Sequence, residues 1–289
     1  MTTTQRTSRF CLLILLQNLL YGIGDPLSKS AYEAMSVYSL LSIRYLIALI
    51  ALLFMGRGRI FRELKTCNVR AWLVPSLCIA GCYILNNVAL ALTDATSVAF
   101  LRSLTTIMTP LLAFAVYRTR FHWIHIPIQA VIILGLYLLC GLGGLSGFGL
   151  GEILTLLSAL LMAGALVFGG KALQDIDALT LSTVQTAASA SMALLCAFLF
   201  EGGVDTSLAT LSIWGVIFYL GLCCTLAGYL LQNLALTKLP SRTVALLQCI
   251  CPVMTAIFSF LLLGEQLTGF GMLGAGIILV GVAVATVVE

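Results

Sequence analysis

From residue 9 to residue 288 the chain is a succession of apolar runs, most of them near the length a helix needs to cross a bilayer. A crossing helix takes about 20 mostly apolar residues. Breaks at charged residues, Gly and Pro divide the sequence into ten runs, at 9–29, 36–55, 71–92, 96–117, 123–141, 150–170, 179–200, 209–236, 242–263 and 269–288. The eighth run is long enough to include an interfacial turn. Period-2 alternation is absent, which argues against a β-barrel. The expected fold class is an all-α membrane protein with ten transmembrane helices. The first run is kept as a helix rather than a cleaved leader: it has full span length, contains Gln17, Asn18 and Asp25, and lacks a small-residue cleavage site.

Composition sharpens this. Hydrophobic residues make up 61% of the chain and charged residues 9%, whereas soluble domains carry about 25% charged residues. The mean hydropathy is +1.10. Fifteen basic and eleven acidic side chains cannot clothe 289 residues in water. A soluble enzyme, a nucleic-acid binder and a disordered chain are excluded. The net charge of +4 reflects sorting by membrane side. With the N-terminus in the cytoplasm, Arg6, Arg9, Arg57, Arg59, Arg62, Lys65, Arg70, Arg118, Arg120, Lys171, Lys238 and Arg242 share the cytoplasmic side. Lys29 alone lies opposite, among Glu33, Asp94, Glu152, Glu201, Asp205 and Glu265. Lys and Arg favour the cytoplasmic side. The expectation is a multi-pass protein of the cytoplasmic (inner) membrane with both termini cytoplasmic.

The chain also resembles itself. At an offset of 146, Tyr83-Ile-Leu-Asn-Asn-Val-Ala-Leu lies over Tyr229-Leu-Leu-Gln-Asn-Leu-Ala-Leu, and the register continues without a gap to Gly135 over Gly281, with 13 identities in 54 positions. The expected organisation is two five-helix repeats, residues 1–141 and 142–289, joined near Gly144-Leu145-Ser146-Gly147. Equivalent loops carry opposite charge: Arg118 and Arg120 against Glu265, Asp94 against Lys238 and Arg242. An odd number of spans per half inverts the second copy. Inverted repeats are the architecture of secondary transporters, with the site at their interface near the bilayer midplane.

Particular segments resemble a known family. Asn233-Leu-Ala-Leu-Thr-Lys-Leu-Pro-Ser-Arg-Thr-Val-Ala, then Pro252, then Leu263-Gly-Glu-Gln-Leu-Thr, is similar to the signature of the EamA-like family of the drug/metabolite transporter (DMT) superfamily. Ser42-Ile-Arg-Tyr-Leu-Ile-Ala resembles its second-helix pattern. Arg118-Thr119 stands where the first half would carry the Gly-Glu pair. The resemblance implies a transporter of small metabolites, and export rather than import.

Ionisable residues inside spans are costly and functional by default. Asp25, Arg44 and Arg102 are the three here. Helical rise of about 1.5 Å per residue places all three roughly 5–15 Å below the outer surface. Asp25 can pair with one Arg, leaving the other for a ligand carboxylate or phosphate, which a guanidinium suits. An Asp25–Arg44 structural pair is the bland alternative. Asn18, Tyr21 and Asp25 share one helical face. By the repeat, Arg44 corresponds to Gln185 and Arg102 to Gln248. The expected substrate-binding set is Arg102, Arg44, Asp25, Asn18, Tyr21, Tyr83, Gln185, Tyr229, Gln232 and Gln248; Tyr83, Asn86 and Asn87 also suit helix–helix hydrogen bonding. Pro26, Pro110 and Pro252 are expected to kink their helices. The fifth and tenth runs, nearly free of polar residues, read as scaffold or as a dimer seam through Gly271, Gly274 and Ala275.

Other signals carry no chemistry. The ten cysteines lack zinc spacing. His122 and His125 have no supporting ligands, and both precede Ser146, where a serine protease of the bilayer needs a later base. No phosphate loop is present. No catalytic residue, metal site or cofactor is expected. The reading is a secondary transporter for a small zwitterionic or anionic, amino-acid-like metabolite, working by alternating access, as a monomer or homodimer in lipid. Proton coupling through Asp25 stays open. An importer of a small organic solute and a non-transporting membrane scaffold are the alternatives.

Overall fold

A computed structural model describes the chain except for residues 1–2, 57, 94–97, 99–100, 119–124, 141–148, 208, 264–268 and 289. The proposed junction at Gly144–Gly147, the Glu265 loop, Asp94, Arg57, Arg120 and His122 lie outside the described residues. Every regular element among the described residues is helical. In order these are α1 (Thr3–Ala31), α2 (Val37–Gly56), α3 (Arg59–Thr66), α4 (Val69–Leu92), α5 (Thr105–Tyr117) and α6 (His125–Cys140). They continue as α7 (Leu150–Ala172), α8 (Ala178–Phe200), α9 (Leu211–Leu236), α10 (Ser241–Gln248), α11 (Cys251–Leu263) and α12 (Gly269–Val288).

The expectation of ten spans is corrected. Seven helices are long and apolar enough to cross a membrane: Arg9–Ala31, Val37–Gly56, Val69–Leu92, Leu150–Ala172, Ala178–Phe200, Leu211–Leu236 and Ser241–Leu262. Three further apolar helices, Leu101–Tyr117, Ile126–Leu138 and Gly269–Val284, are shorter. The fold class is an all-α membrane protein with seven candidate spans, and the arrangement as two inverted five-span copies falls with the count. The physical reason is that an apolar run measures what lipid tolerates, whereas a span also needs enough continuous helix to cross about 30 Å of hydrocarbon.

The eighth run holds no turn. It is helical from Leu211 to Leu236, with a π-helical stretch at Leu220–Ala227, within which Thr225 Oγ1 donates to the Leu220 carbonyl at 3.0 Å. Pro26 and Pro110 lie inside α1 and α5. Pro110 has no N–H for the Thr106 carbonyl one turn back, and Gln129 Nε2 of α6 donates to that carbonyl at 3.2 Å instead. The breaks fall at Leu104, before α5, and at Cys249–Ile250, between α10 and α11.

Large apolar side chains cover the outside, and the interior mixes an apolar core with buried polar side chains. Ile50, Phe54, Phe198, Phe200 and Leu211 are exposed, while Gln17, Asn18, Arg44, Gln185, Gln232 and Asn233 are buried. α4 packs on α7 and α8, α2 on α8 and on the π stretch of α9, and α1 on α11. α6 packs on α12; a Cβ on Gly135 would lie 3.0 Å from the Gly274 carbonyl, so small residues expected at a dimer seam here serve contact within the chain.

α2 and α8 run antiparallel, and each helix N-terminus is held by a glutamate beyond the other's C-terminus. Glu201 accepts from the backbone amides of Tyr38 and Ser39, both at 3.0 Å, and from the hydroxyl of Ser36. Glu63, in α3, accepts from Thr180 Oγ1 at 2.7 Å and from the Asp177 amide at 3.2 Å. Carboxylates at helix N-termini satisfy free amides and complement the dipole. Arg59 pairs with Glu63 and with Asp177.

Two consequences are measurable. Burial alone pushes the Glu63 carboxyl up, but hydrogen bonds from Thr180, the Asp177 amide and Arg59 outweigh it and hold it below the ordinary glutamate value. Such a carboxyl adds stability that is present above its unfolded value, about 4.3, and is lost as pH falls through its folded value. Thermal unfolding in detergent should weaken less on acidification through that range in Glu63→Gln than in the parent. The second concerns Gly22, where a Cβ would sit 2.5 Å from Met254 Cβ and 2.9 Å from the Met254 backbone carbon. Gly22→Ala should overpack the α1–α11 contact by about 1–3 kcal/mol and lower the melting temperature. Gly215→Ala, with nothing within 4 Å of its Cβ, is the matched control.

Candidate functional site

The close approach at Gly22 brings Asp25, one turn further along α1, against α11. Thr255 Oγ1 donates to Asp25 Oδ2 at 3.0 Å. The same oxygen lies 3.6 Å from Arg102 Nη2, and Arg102 Nη2 is 3.4 Å from Cys251 Sγ. Asp25 therefore pairs with Arg102, not with Arg44. At 3.6 Å the contact is a loose ion pair rather than a tight hydrogen bond.

Arg44 is left without a carboxylate. It is 6% exposed, and its Nε has no hydrogen-bond partner. Its guanidinium carbon lies 5.0 Å from the centre of the neighbouring Tyr45 ring. A cation over an aromatic face is stabilised, but its charge is not neutralised. A guanidinium stays protonated in proteins, so the positive charge is permanent.

Two adjoining chambers surround these groups. One, of ≈ 20 Å³, is lined by Asp25, Arg44, Asn86 and Arg102, among others. The other, of ≈ 40 Å³, is lined by Asn18, Arg102, Met162 and Gln248, among others. Tyr21, Tyr83 and Arg102 belong to both walls. Two guanidinium groups face one carboxylate across the pair, an excess of one positive charge. Two more buried atoms lack partners here, Asn18 Oδ1 and Asn86 Oδ1. Buried polar atoms are almost always hydrogen-bonded, so unpaired ones call for a reason. Orphans of both kinds, cationic donor and amide acceptor, line these chambers.

The helix breaks open onto the second chamber. Ser103 and Thr105 flank the break at Leu104, and Gln248, Cys249 and Cys251 flank the other; all five line the wall. Leu220 and Cys224, from the π stretch of α9, line the first chamber. Broken helices put backbone groups at membrane depth only where a cavity or protein receives them.

Of the ten residues expected from sequence, seven reach the chambers: Asp25, Arg44, Arg102, Asn18, Tyr21, Tyr83 and Gln248. Gln185, Tyr229 and Gln232 line neither. Gln185 Oε1 accepts from Asn233 Nδ2 at 2.7 Å, tying α8 to α9. Gln232 Oε1 accepts from Gln248 Nε2 at 2.9 Å and from Gln17 Nε2 at 3.2 Å. Tyr229 stacks behind Tyr83, centroids 5.4 Å apart. Tyr83 in turn donates to the Tyr21 hydroxyl at 2.9 Å, so it is at once a chamber wall and a link between helices. Asn87 donates to the Tyr83 carbonyl at 2.7 Å and receives the Tyr32 hydroxyl. Thr105, which shares a polar helical stretch with Arg102 in the sequence, also lines the wall; sequence reasoning missed Met162 and Ser103.

Comparison with known proteins agrees with this architecture. A solved crystal structure of a protein overlays with a TM-score of 0.82 at 18% identity, covering 97% of each chain, a likeness of fold. An uncharacterized transporter of Archaeoglobus fulgidus is 25% identical over 272 residues, 93% of this chain and 82% of that one. The uncharacterized transporter YcbK of Bacillus subtilis is 27% identical over 130 residues, 44% of this chain and 42% of its own. The pattern of the EamA-like transporter family matches residues 8–141 and again residues 149–287. With nearly its whole length matched, this multi-pass membrane protein belongs to the EamA-like family of the drug/metabolite transporter superfamily, whose members are transporters of small molecules and not enzymes.

Proposed function

We propose that the protein is a secondary transporter for a small zwitterionic or anionic, amino-acid-like metabolite, which it exports across the cytoplasmic membrane by alternating access. The observation that carries this reading is the unneutralised positive charge of the chambers, with Arg44 buried and without a carboxylate. A ligand carboxylate supplies the missing anion. Charge-assisted hydrogen bonds of this kind contribute about 1.5–3 kcal/mol, and guanidinium geometry favours bidentate contact with carboxylate. In a zwitterion, the ammonium goes to Asp25, whose hold on Arg102 is loose enough to yield. The uncharged groups Asn18, Gln248 and Tyr21 complete the shell. Export as the direction rests on the family likeness. Division of the chain into residues 1–141 and 142–289 belongs to the same proposal, supported by the two stretches that match the family pattern.

Purified protein screened by thermal shift against metabolite pools should be stabilised by carboxylate-bearing compounds. In liposomes, Arg102→Ala should abolish uptake of such a compound while the protein still folds, and Arg44→Ala should weaken binding at least about tenfold. Unchanged transport by Arg102→Ala removes that residue from the site. Asp25 and Arg102 should also be coupled energetically. The double substitution to Ala should destabilise by less than the sum of the single ones, by about 0.5–3 kcal/mol in a thermal-unfolding cycle; strict additivity would mean that the pair contributes nothing to stability.

A further inference from the structure

A third cavity, wider than either chamber at ≈ 500 Å³, opens at the end of the bundle where α5, α7 and α9 finish and α10 begins. Lys171, at the end of α7, and Lys238, in the turn between α9 and α10, both line it. Both are exposed. Lys171 Nζ donates to Gln174 Oε1 at 2.7 Å, which orients the ammonium without neutralising it. Neither lysine forms an ion pair among the described residues, and Asp175, the nearest acid along the chain to Lys171, pairs with neither. The mouth is thus a concavity with two positive charges and, among the described residues that line it, no acid.

It leads towards the site. Ser241 lines the mouth, and Ala245 and Gln248 line the chamber that holds Arg102. Spaced at i, i+4 and i+7, these three mark one face of α10, and the first and last are about 10 Å apart by helical rise. α7 contributes Met162 to the chamber and Val167 and Lys171 to the mouth. At the intervening level Leu166, Thr109 and Val244 are fully buried, so packed side chains separate mouth from chamber in this structure.

We propose that this mouth is a separate anion-docking site, where Lys171 and Lys238 hold the carboxylate of the transported solute on its passage to or from the central chambers. The proposal rests on the anionic-solute reading above. A concave positive surface raises the local concentration of anions and their encounter rate by 10- to 1,000-fold or so, and salt screens the effect.

The test uses the full-length protein in detergent and a cysteine at the mouth, Thr237→Cys, an exposed lining position. Its labelling, taken over that of the parent with its native cysteines, is timed with a sulfonate-bearing and a trimethylammonium-bearing thiol reagent. The sulfonate reagent should react about tenfold faster. Butyrate should slow it more than chloride does at equal ionic strength. Adding Lys171→Gln and Lys238→Gln should bring the ratio near one and remove the butyrate effect. A ratio near one with both lysines present overturns the proposal, whatever Arg102→Ala does to transport; so does butyrate acting no better than chloride. A ratio that collapses only on loss of the lysines, with butyrate protection, upholds the anion site even where Arg102→Ala leaves transport intact and the central reading fails.

Discussion

Hydrocarbon offers no hydrogen bonds, so each polar group placed at membrane depth has to find its partner within protein or within a cavity. That constraint organises the whole molecule. It makes every regular element among the described residues a helix, turns large apolar side chains outward and gathers amides and hydroxyls inside. It accounts for Gln129 reaching across to the carbonyl that Pro110 frees, and for the glutamine cluster of Gln17, Gln232 and Gln248. Unpaired buried atoms occur at the chambers, at Arg44 Nε, Asn18 Oδ1 and Asn86 Oδ1, and also elsewhere in the bundle, at Trp72 Nε1, Gln185 Nε2 and Asn233 Oδ1.

Backbone irregularities cluster at the same place. The interruptions at Leu104 and Cys249–Ile250 and the π stretch of α9 all contribute lining residues. Away from the chambers the fixtures are of another kind. α2 and α8 are tied at both ends by Glu201 and Glu63, which makes the pair a firm frame. The chambers are held by a loose ion pair and tyrosine contacts together with hydrogen bonds such as that from Asn18 Nδ2 to the Leu247 carbonyl at 2.8 Å.

Much of the site was legible before any coordinates. Asp25, Arg44 and Arg102 stand out because a charge inside an apolar run has a cost that only a partner or a ligand offsets. Asn18 and Tyr21 follow from Asp25 by helical spacing alone. Gln185 lines neither chamber: its correspondence with Arg44 along the chain says nothing about what faces it, and Asn233 faces it. Met162 and Ser103 were invisible, since residues of their type are common in apolar runs and become lining only through the direction of neighbouring helices. The number of spans was overestimated because hydropathy registers lipid tolerance and not the continuity of the hydrogen-bond ladder.

Sequence by itself determined the solvent, the helical class, the family and the surplus of fixed positive charge in the interior, because these depend on composition and on residue types that cannot change their charge. Tertiary structure decided which partner each charge took. Asp25 met Arg102 and Thr255 rather than Arg44, and no run of letters could have chosen between the two arginines. Ion pairing acts over a few ångströms, and which side chains come that close depends on how helices distant in sequence are packed, here through the absent side chain of Gly22 against Met254.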